Sequence, residues 1–284
     1  MSDTNRSALA DPKAMMDTRT TAETKPQPDV QDERLRDDTW FYGPVAMALF
    51  LAFWELSIPL FDVPEIFLPR PSLVIVTLYD LFATKSLAYD LMLTLYRIFA
   101  GFFLAAVIGI GLGLLMGMSR RIYAICDVFV AALYPVPKIA LVPLLVIWLG
   151  SGNAFQIALS ALGCIFPILV NTIIGVRQCD EGLILAARDL GASAVQIQRK
   201  VVLPAAVPAI FGGLRLALGI SIILVVAAEM QTARYGLGAK LQLAGQILET
   251  GQVFAILLLL AILGILLTKG QQYLDGKINR WRTR

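Results

Sequence analysis

The stretch RQCDEGLILAARDLGASAVQIQRKVVLPAAVP, Arg177 to Pro208, is the one long charged interlude inside an otherwise apolar body, and its reading decides the architecture of the chain. Leu183, Ile184, Ala187 and Leu190 recur at helical spacing, and Gly191 follows where a helix C-cap wants a left-handed residue. Ser193 and Gln196 have the spacing of a capping box, and Ala194, Ile197 and Val201 supply the apolar stripe of a second helix. The restriction on residues preceding proline ends that helix before Pro204. The stretch therefore predicts helix, turn, helix on a polar loop between two apolar segments.

The flanking composition fixes what the loop is attached to. With 57% hydrophobic residues in 284 and a mean hydropathy of +0.72, the chain carries far more apolar surface than a soluble domain, and reads as an all-α integral membrane protein. A net charge of +3, with no basic face, excludes nucleic acid as a partner and leaves membrane lipid as the surrounding medium. Histidine is absent, which removes the usual ligand or base of membrane metalloenzymes, haem proteins and many proton relays. Cys126, Cys164 and Cys179 have no paired spacing, so neither a disulfide frame nor a metal site is expected. Residues 1–39 are polar, charged with both signs and free of any hydrophobic run; they read as a disordered tail rather than a secretory signal, and residues 40–284 as the membrane domain.

Six segments are long enough to cross a bilayer: about Trp40 to Phe61, Leu93 to Met118, Cys126 to Leu149, Phe155 to Val176, Ala209 to Met230 and Val253 to Gly270. Placing the N-terminus inside puts seventeen of the 24 Lys and Arg residues on that side, among them Arg120, Arg121, Arg177, Arg199 and Lys200. Only Arg70, Lys85, Arg234 and Lys240 fall outside. The excess predicts that both termini and the loop 177–208 are cytoplasmic. Residues 64–90 and the stretch from Ala233 to Gln252 read as external pieces.

Within the segments, Gly109, Gly113 and Gly117 recur every four residues, with Gly101 and Ala105 on the same face, a seam for close helix packing. Pro135, Pro137 and Pro143 break the third segment around Lys138, a break tolerated at membrane depth only where protein or a water-filled path satisfies the backbone. Lys138 is either a side chain snorkelling from a kinked helix or one facing a translocation pathway. Glu229 closes the apolar run ILVVAAEM and is either a structural polar contact or a pathway residue. No carboxylate pair suited to acid/base chemistry and no nucleophile with a base occurs, so the chain is not expected to be an enzyme.

These residues resemble the permease subunit of bacterial ATP-binding-cassette importers, a family whose penultimate cytoplasmic loop carries the pattern EAA, three residues, G, nine residues, I-x-L-P. Leu185-Ala186-Ala187, Gly191 and Val201-Val202-Leu203-Pro204 match it with the spacing intact, Leu185 standing where the family has glutamate and Val201 where it has isoleucine. Beyond the loop, YPVPKIALVPLLVIWLGSG, FPILVNTIIGVRQCDEGLILAARDLGAS and AEMQTARYGLG are similar to the nitrate, sulfonate, taurine and bicarbonate branch.

The resemblance implies the type I importer fold, six helices with a coupling helix, in an inner-membrane homodimer that receives a small anion from a periplasmic or lipid-anchored binding protein. It further implies a pair of separate ATPase subunits that bind ATP and Mg and dock on Leu185, Ala186, Ala187, Arg188, Asp189, Gly191, Leu203 and Pro204, with no cofactor or metal on this chain. The competing expectation is a channel or secondary transporter needing no ATPase, in which Lys138 and Glu229 would form the ion-coupling pair.

Overall fold

A computed structural model describes residues 41–84 and 86–278, and the polar tail 1–39 lies outside them. Two units divide between Phe53 and Trp54. The first described helix, α1 (Tyr42–Leu60), runs across that division. In the second unit follow α2 (Pro71–Ala83), α3 (Ser86–Met118), α4 (Arg120–Leu133), α5 (Val142–Leu149) and α6 (Asn153–Arg177). The loop carries α7 (Glu181–Asp189) and the single turn α8 (Ala194–Ile197), and α9 (Leu203–Thr232), α10 (Leu237–Gln246) and α11 (Thr250–Ile278) complete the chain. Five helices are long and apolar enough to cross a membrane, and a bent pair makes a sixth span.

The bent pair is the interrupted third segment. Pro135 and Pro137 deny the backbone two donors, the helix stops at Leu133, and Lys138–Leu149 leaves at 85° to Arg120–Leu133. Such a corner strands the last carbonyls of α4. Lys138 takes them up: its Nζ donates to the carbonyls of Leu133, Tyr134 and Val136 at 2.8, 2.9 and 2.8 Å and lies 4.7 Å above the Phe166 ring.

Helix α6 is the most enclosed span, packed between α3, which runs parallel to it, and α9, which runs antiparallel. The glycine seam is what brings α3 in. Gly101 lies over Ser160, Gly109 over Ile168, Gly113 over Thr172 and Gly117 over Val176, with one unchanged offset at all four pairs, so the helices stay in register along the seam. Where α9 meets this pair, Ser160 and Ser221 share a hydrogen bond of 2.7 Å, Ser221 donates to the Ile98 carbonyl of α3, and Cys164 donates to the Ala217 carbonyl. Ile98, Ala105, Cys164, Ile168, Ala217 and Val225 form the dry centre where the three helices meet. At the end remote from α7, Leu87, Leu237, Ile256 and Leu259 join α3, α10 and α11, with α2 laid against them through Leu78 and Leu81.

One expectation is corrected. The helix beginning at Ala194 does not end before Pro204; the helical path is continuous from Ala194 to Thr232. It passes the proline through a π turn, Gln198–Val202, in which the Leu203 N–H reaches back to the Gln198 carbonyl. Widening the turn by one residue absorbs the donor that Pro204 lacks and the crowding its ring would cause in a regular α-turn.

The seam gives a direct test. A Cβ at Gly113 would sit 2.6 Å from the Thr172 Cβ, whereas one at Gly111 meets nothing within 4 Å. Gly113→Val is expected to cost about 1–3 kcal/mol through overpacking, and Gly111→Ala to leave stability unchanged or slightly higher, both read as thermal unfolding of the detergent-purified chain.

Candidate functional site

The loop folds as a self-supporting hairpin of helical turns. Asp180 caps α7 by accepting from the Gly182 N–H at 2.7 Å. At the other end Gly191 takes φ +81°, its N–H reaches the Arg188 carbonyl, and the Ala192 N–H reaches the Ala187 carbonyl. These two bonds are the Schellman closure, and the left-handed φ is open to glycine without strain. Ser193 and Gln196 then exchange hydrogen bonds, backbone N–H to Gln196 Oε1 at 2.8 Å and Gln196 N–H to Ser193 Oγ at 3.3 Å, and restart the helix.

This geometry sorts the loop residues by face. Ile184 and Ala187 pack inward against Val176, Ile197, Val202 and Ala206. Leu183, Leu185, Ala186, Arg188, Asp189 and Leu190 are exposed, Leu185 at 54% and Leu190 at 88%. Of the matched alanines, Ala187 therefore holds α7 down and Ala186 faces out. Leu203 is exposed and Pro204 half-buried at the start of α9. Behind α7, a cavity of about 400 Å³ opens between Ile184, Arg188 and Gln198 and the ends of α3 and α6 at Gly117 and Val176. Burial, with Asp180 next in sequence, holds the Cys179 thiol above its usual range, so it stays protonated beside the loop.

Glu229 lies at the opposite end of α9, fully buried, and Arg97 is its partner, Nη1 to Oε1 at 2.6 Å. Thr94 Oγ1 lies 3.0 Å from each carboxylate oxygen and the Gly238 N–H donates at 2.9 Å. Arg97 also donates through Nη1 to the Tyr235 carbonyl at 2.8 Å, and through Nε and Nη2 to Asn153 Oδ1 at 3.0 and 2.8 Å. Asp90 accepts from the Gly236 N–H at 2.7 Å and Thr94 from the Leu237 N–H at 2.9 Å, while Lys240 stands 3.4 Å from Asp90. Four successive backbone groups, from the Tyr235 carbonyl to the Gly238 N–H, are thus each held by a side chain of α3 or α9. Gly236 has φ +124°, and a Cβ there would fall 2.6 Å from Glu229 Oε1.

The structure brings Glu229 to Arg97, and no contact among the described residues joins it to Lys138, whose three ammonium donors go to the α4 corner. Asp90, Thr94, Arg97 and Asn153 were not among the residues singled out from sequence. Their signal was available: Asp90, Thr94 and Arg97 stand at i, i+4 and i+7 in the apolar α3, one polar face of a helix in lipid.

The family model for the binding-protein-dependent transport system inner membrane component matches residues 105–280. The chain is 35% identical over 243 residues to the putative aliphatic sulfonates transport permease protein SsuC of Bacillus subtilis, covering 86% of this chain and 88% of that one. To the taurine transport system permease protein TauC of Escherichia coli it is 35% identical over 240 residues, covering 83% and 87%. Among solved structures, a chain of the MetNI methionine ABC transporter in an inward-facing conformation superposes with a TM-score of 0.60 at 25% identity, covering 69% of this chain and 97% of that one.

The buried pair predicts a specific pattern of stability. Arg97→Met strands the Glu229 carboxylate and should cost about 3–5 kcal/mol, whereas Arg97→Met with Glu229→Leu should recover part of the loss. Thermal unfolding of the purified single and double variants measures the difference.

Proposed function

Because the chain belongs to the family of binding-protein-dependent transport system inner membrane components, and is a membrane-spanning permease of an ABC importer, we propose that it works as one of two identical copies driven by a separate pair of ATPase subunits. These bind ATP and Mg and dock on the exposed face of α7, with Leu185, Ala186, Arg188, Asp189 and Leu190 as the contact surface. That end of the chain is cytoplasmic. An external binding protein delivers the solute to the other end. The relatives named for aliphatic sulfonates and taurine support a small sulfonate as the cargo.

One observation carries the coupling assignment: the continuous helical path from Ala194 to Thr232. The α7–α8 hairpin is fastened to this path by Ile184, Ala187, Ile197 and Val202, so a displacement imposed on α7 moves the base of α9 rather than flexing a loop. At its far end α9 is tied to α3 and to the turn at Tyr235–Gly238 through Glu229. A push at the ATPase surface thereby reaches the outer turn through packed helix, a rigid-body route for switching access.

On this reading Lys138 and Glu229 shape the pathway through the backbone they hold. Lys138 fixes the corner between α4 and α5, and Glu229 fixes the outer end of α9. Leu185, in place of the family glutamate, makes the docking surface more apolar, and its partner groove should be correspondingly apolar. The alternative of a transporter without an ATPase needs Lys138 and Glu229 to exchange partners with an ion, and no contact between them favours it.

Gly191→Val forces a β-branched residue into a left-handed turn. ATP-driven sulfonate uptake should fall to the level of cells lacking the chain and ATPase co-purification should be lost, with membrane insertion retained. Undiminished uptake would remove the coupling role. Leu185→Asp should weaken ATPase co-purification while leaving the thermal stability of the permease within about 0.5 kcal/mol, as expected for an exposed position.

A further inference from the structure

On the α7 side of the second unit, α4 and α6 leave a cleft of about 350 Å³ between them. Each helix lines it with one face, Tyr123, Asp127 and Val130 at i, i+4 and i+7 on α4, and Val170, Ile174 and Arg177 at the same spacing on α6. Arg177, the last residue of α6, meets Tyr123 in the first turn of α4. Asp127 stands one turn further along α4, about 6 Å by helix rise. Beyond it Val130 and Val170 pack with Leu169 and Ile173 and close the far end. From the α7 end inward the order is therefore a cation, then an anion, then an apolar wall.

The two charges are held but not spent. The Arg177 guanidinium carbon lies 3.7 Å from the centroid of the Tyr123 ring. Stacking of this kind occupies one face of the guanidinium plane, fixes its position and leaves the N–H edge open for a bidentate contact. Arg177 is exposed and Asp127 half-buried, so both can be reached from water. Among the described residues neither side chain enters an ion pair or a hydrogen bond, with the other or with any third group, and the same holds for the Gln178 amide at the Arg177 end of the cleft. A simple anion drawn to Arg177 would meet the Asp127 carboxylate, and a simple cation drawn to Asp127 would meet Arg177. A small molecule carrying an oxyanion and an ammonium on a short spacer meets both.

We propose that the α4–α6 cleft is an exit-side binding site for a zwitterionic aminoalkanesulfonate. The sulfonate lies on the N–H edge of Arg177, with the Gln178 side-chain NH2 as a further donor, and the ammonium donates to the Asp127 carboxylate. The site rests on the small sulfonate proposed as cargo, and narrows that class to members bearing an amine. The order of charges separates such a solute from a lipid headgroup of the same chemistry. Phosphatidylethanolamine carries its phosphate on the membrane side and its ammonium outermost, whereas here the cation is outermost and the carboxylate lies deeper.

The test uses the full chain in nanodiscs of dioleoylphosphatidylglycerol and measures equilibrium binding of radiolabelled 2-aminoethanesulfonate and of ethanesulfonate. The wild type should bind the amino compound roughly ten- to hundredfold more tightly, the range expected for one hydrogen bond between charged groups. Asp127→Asn, which keeps the shape of the side chain, should abolish that preference. Arg177→Gln should weaken both ligands by a similar factor, while Lys269→Gln, the same loss of charge at an exposed position of α11, leaves both unaltered. Equal affinity of the wild type for the two sulfonates overturns the proposal, as does unchanged binding in Arg177→Gln. Loss of binding when dioleoylphosphatidylethanolamine replaces the disc lipid would assign the cleft to a lipid headgroup and equally overturn it. ATP-driven sulfonate uptake tests the permease reading separately: uptake by a chain that fails these binding measurements removes the exit site alone.

Discussion

A guanidinium and a carboxylate held 2.6 Å apart with almost no water around them cannot be left half-satisfied, and much of the second unit is arranged to prevent it. Isolated, either charge would be prohibitive in the interior. Together they still leave several donors and acceptors to be met, and the groups meeting them come from three places: Thr94 on α3, Asn153 at the start of α6, and the backbone of the turn leading into α10. Electrostatics at this one point fixes the relative height of three membrane-crossing helices. The glycine seam below it then lets α3 and α6 close to near backbone contact without losing that height.

The parts of the fold legible in the sequence were those whose cause is local. Gly191 announced a left-handed turn, Ser193 and Gln196 announced a capping box, and four-residue spacing of glycine announced a packing seam; each depends on neighbours within a few residues or on one helical face. The Arg97–Glu229 cluster was not legible in the same way. Its partners are separated by more than a hundred residues, and sequence gave Glu229 a choice between a structural and a pathway role without supplying Arg97. The polar stripe of α3 was the available hint, obscured because the expected segment began at Leu93, past Asp90.

Pro204 shows a local rule overridden. Proline ordinarily ends a helix; here packing of Ile197, Val202 and Ala206 in one cluster holds the path together and the π turn accommodates the ring. Lys138 is the complementary case, a charged residue in an apolar segment whose depth alone suggested either lipid escape or solute contact. Neither choice included the carbonyls that a proline-broken helix leaves behind, which are its partners.

The π turn at Gln198–Val202 has a geometric corollary. Each residue of an α-helix advances the azimuth by about 100°, so the one extra residue lodged in that turn sets the rotational phase of the α7–α8 hairpin about the axis of α9. The turn works as a vernier: the same two rigid pieces, joined through a regular α-turn, would present Leu185 and Leu190 to a different quadrant of the membrane surface. Which direction the exposed face of α7 looks is thus written not in the loop that carries it but in the spacing of the five residues that follow.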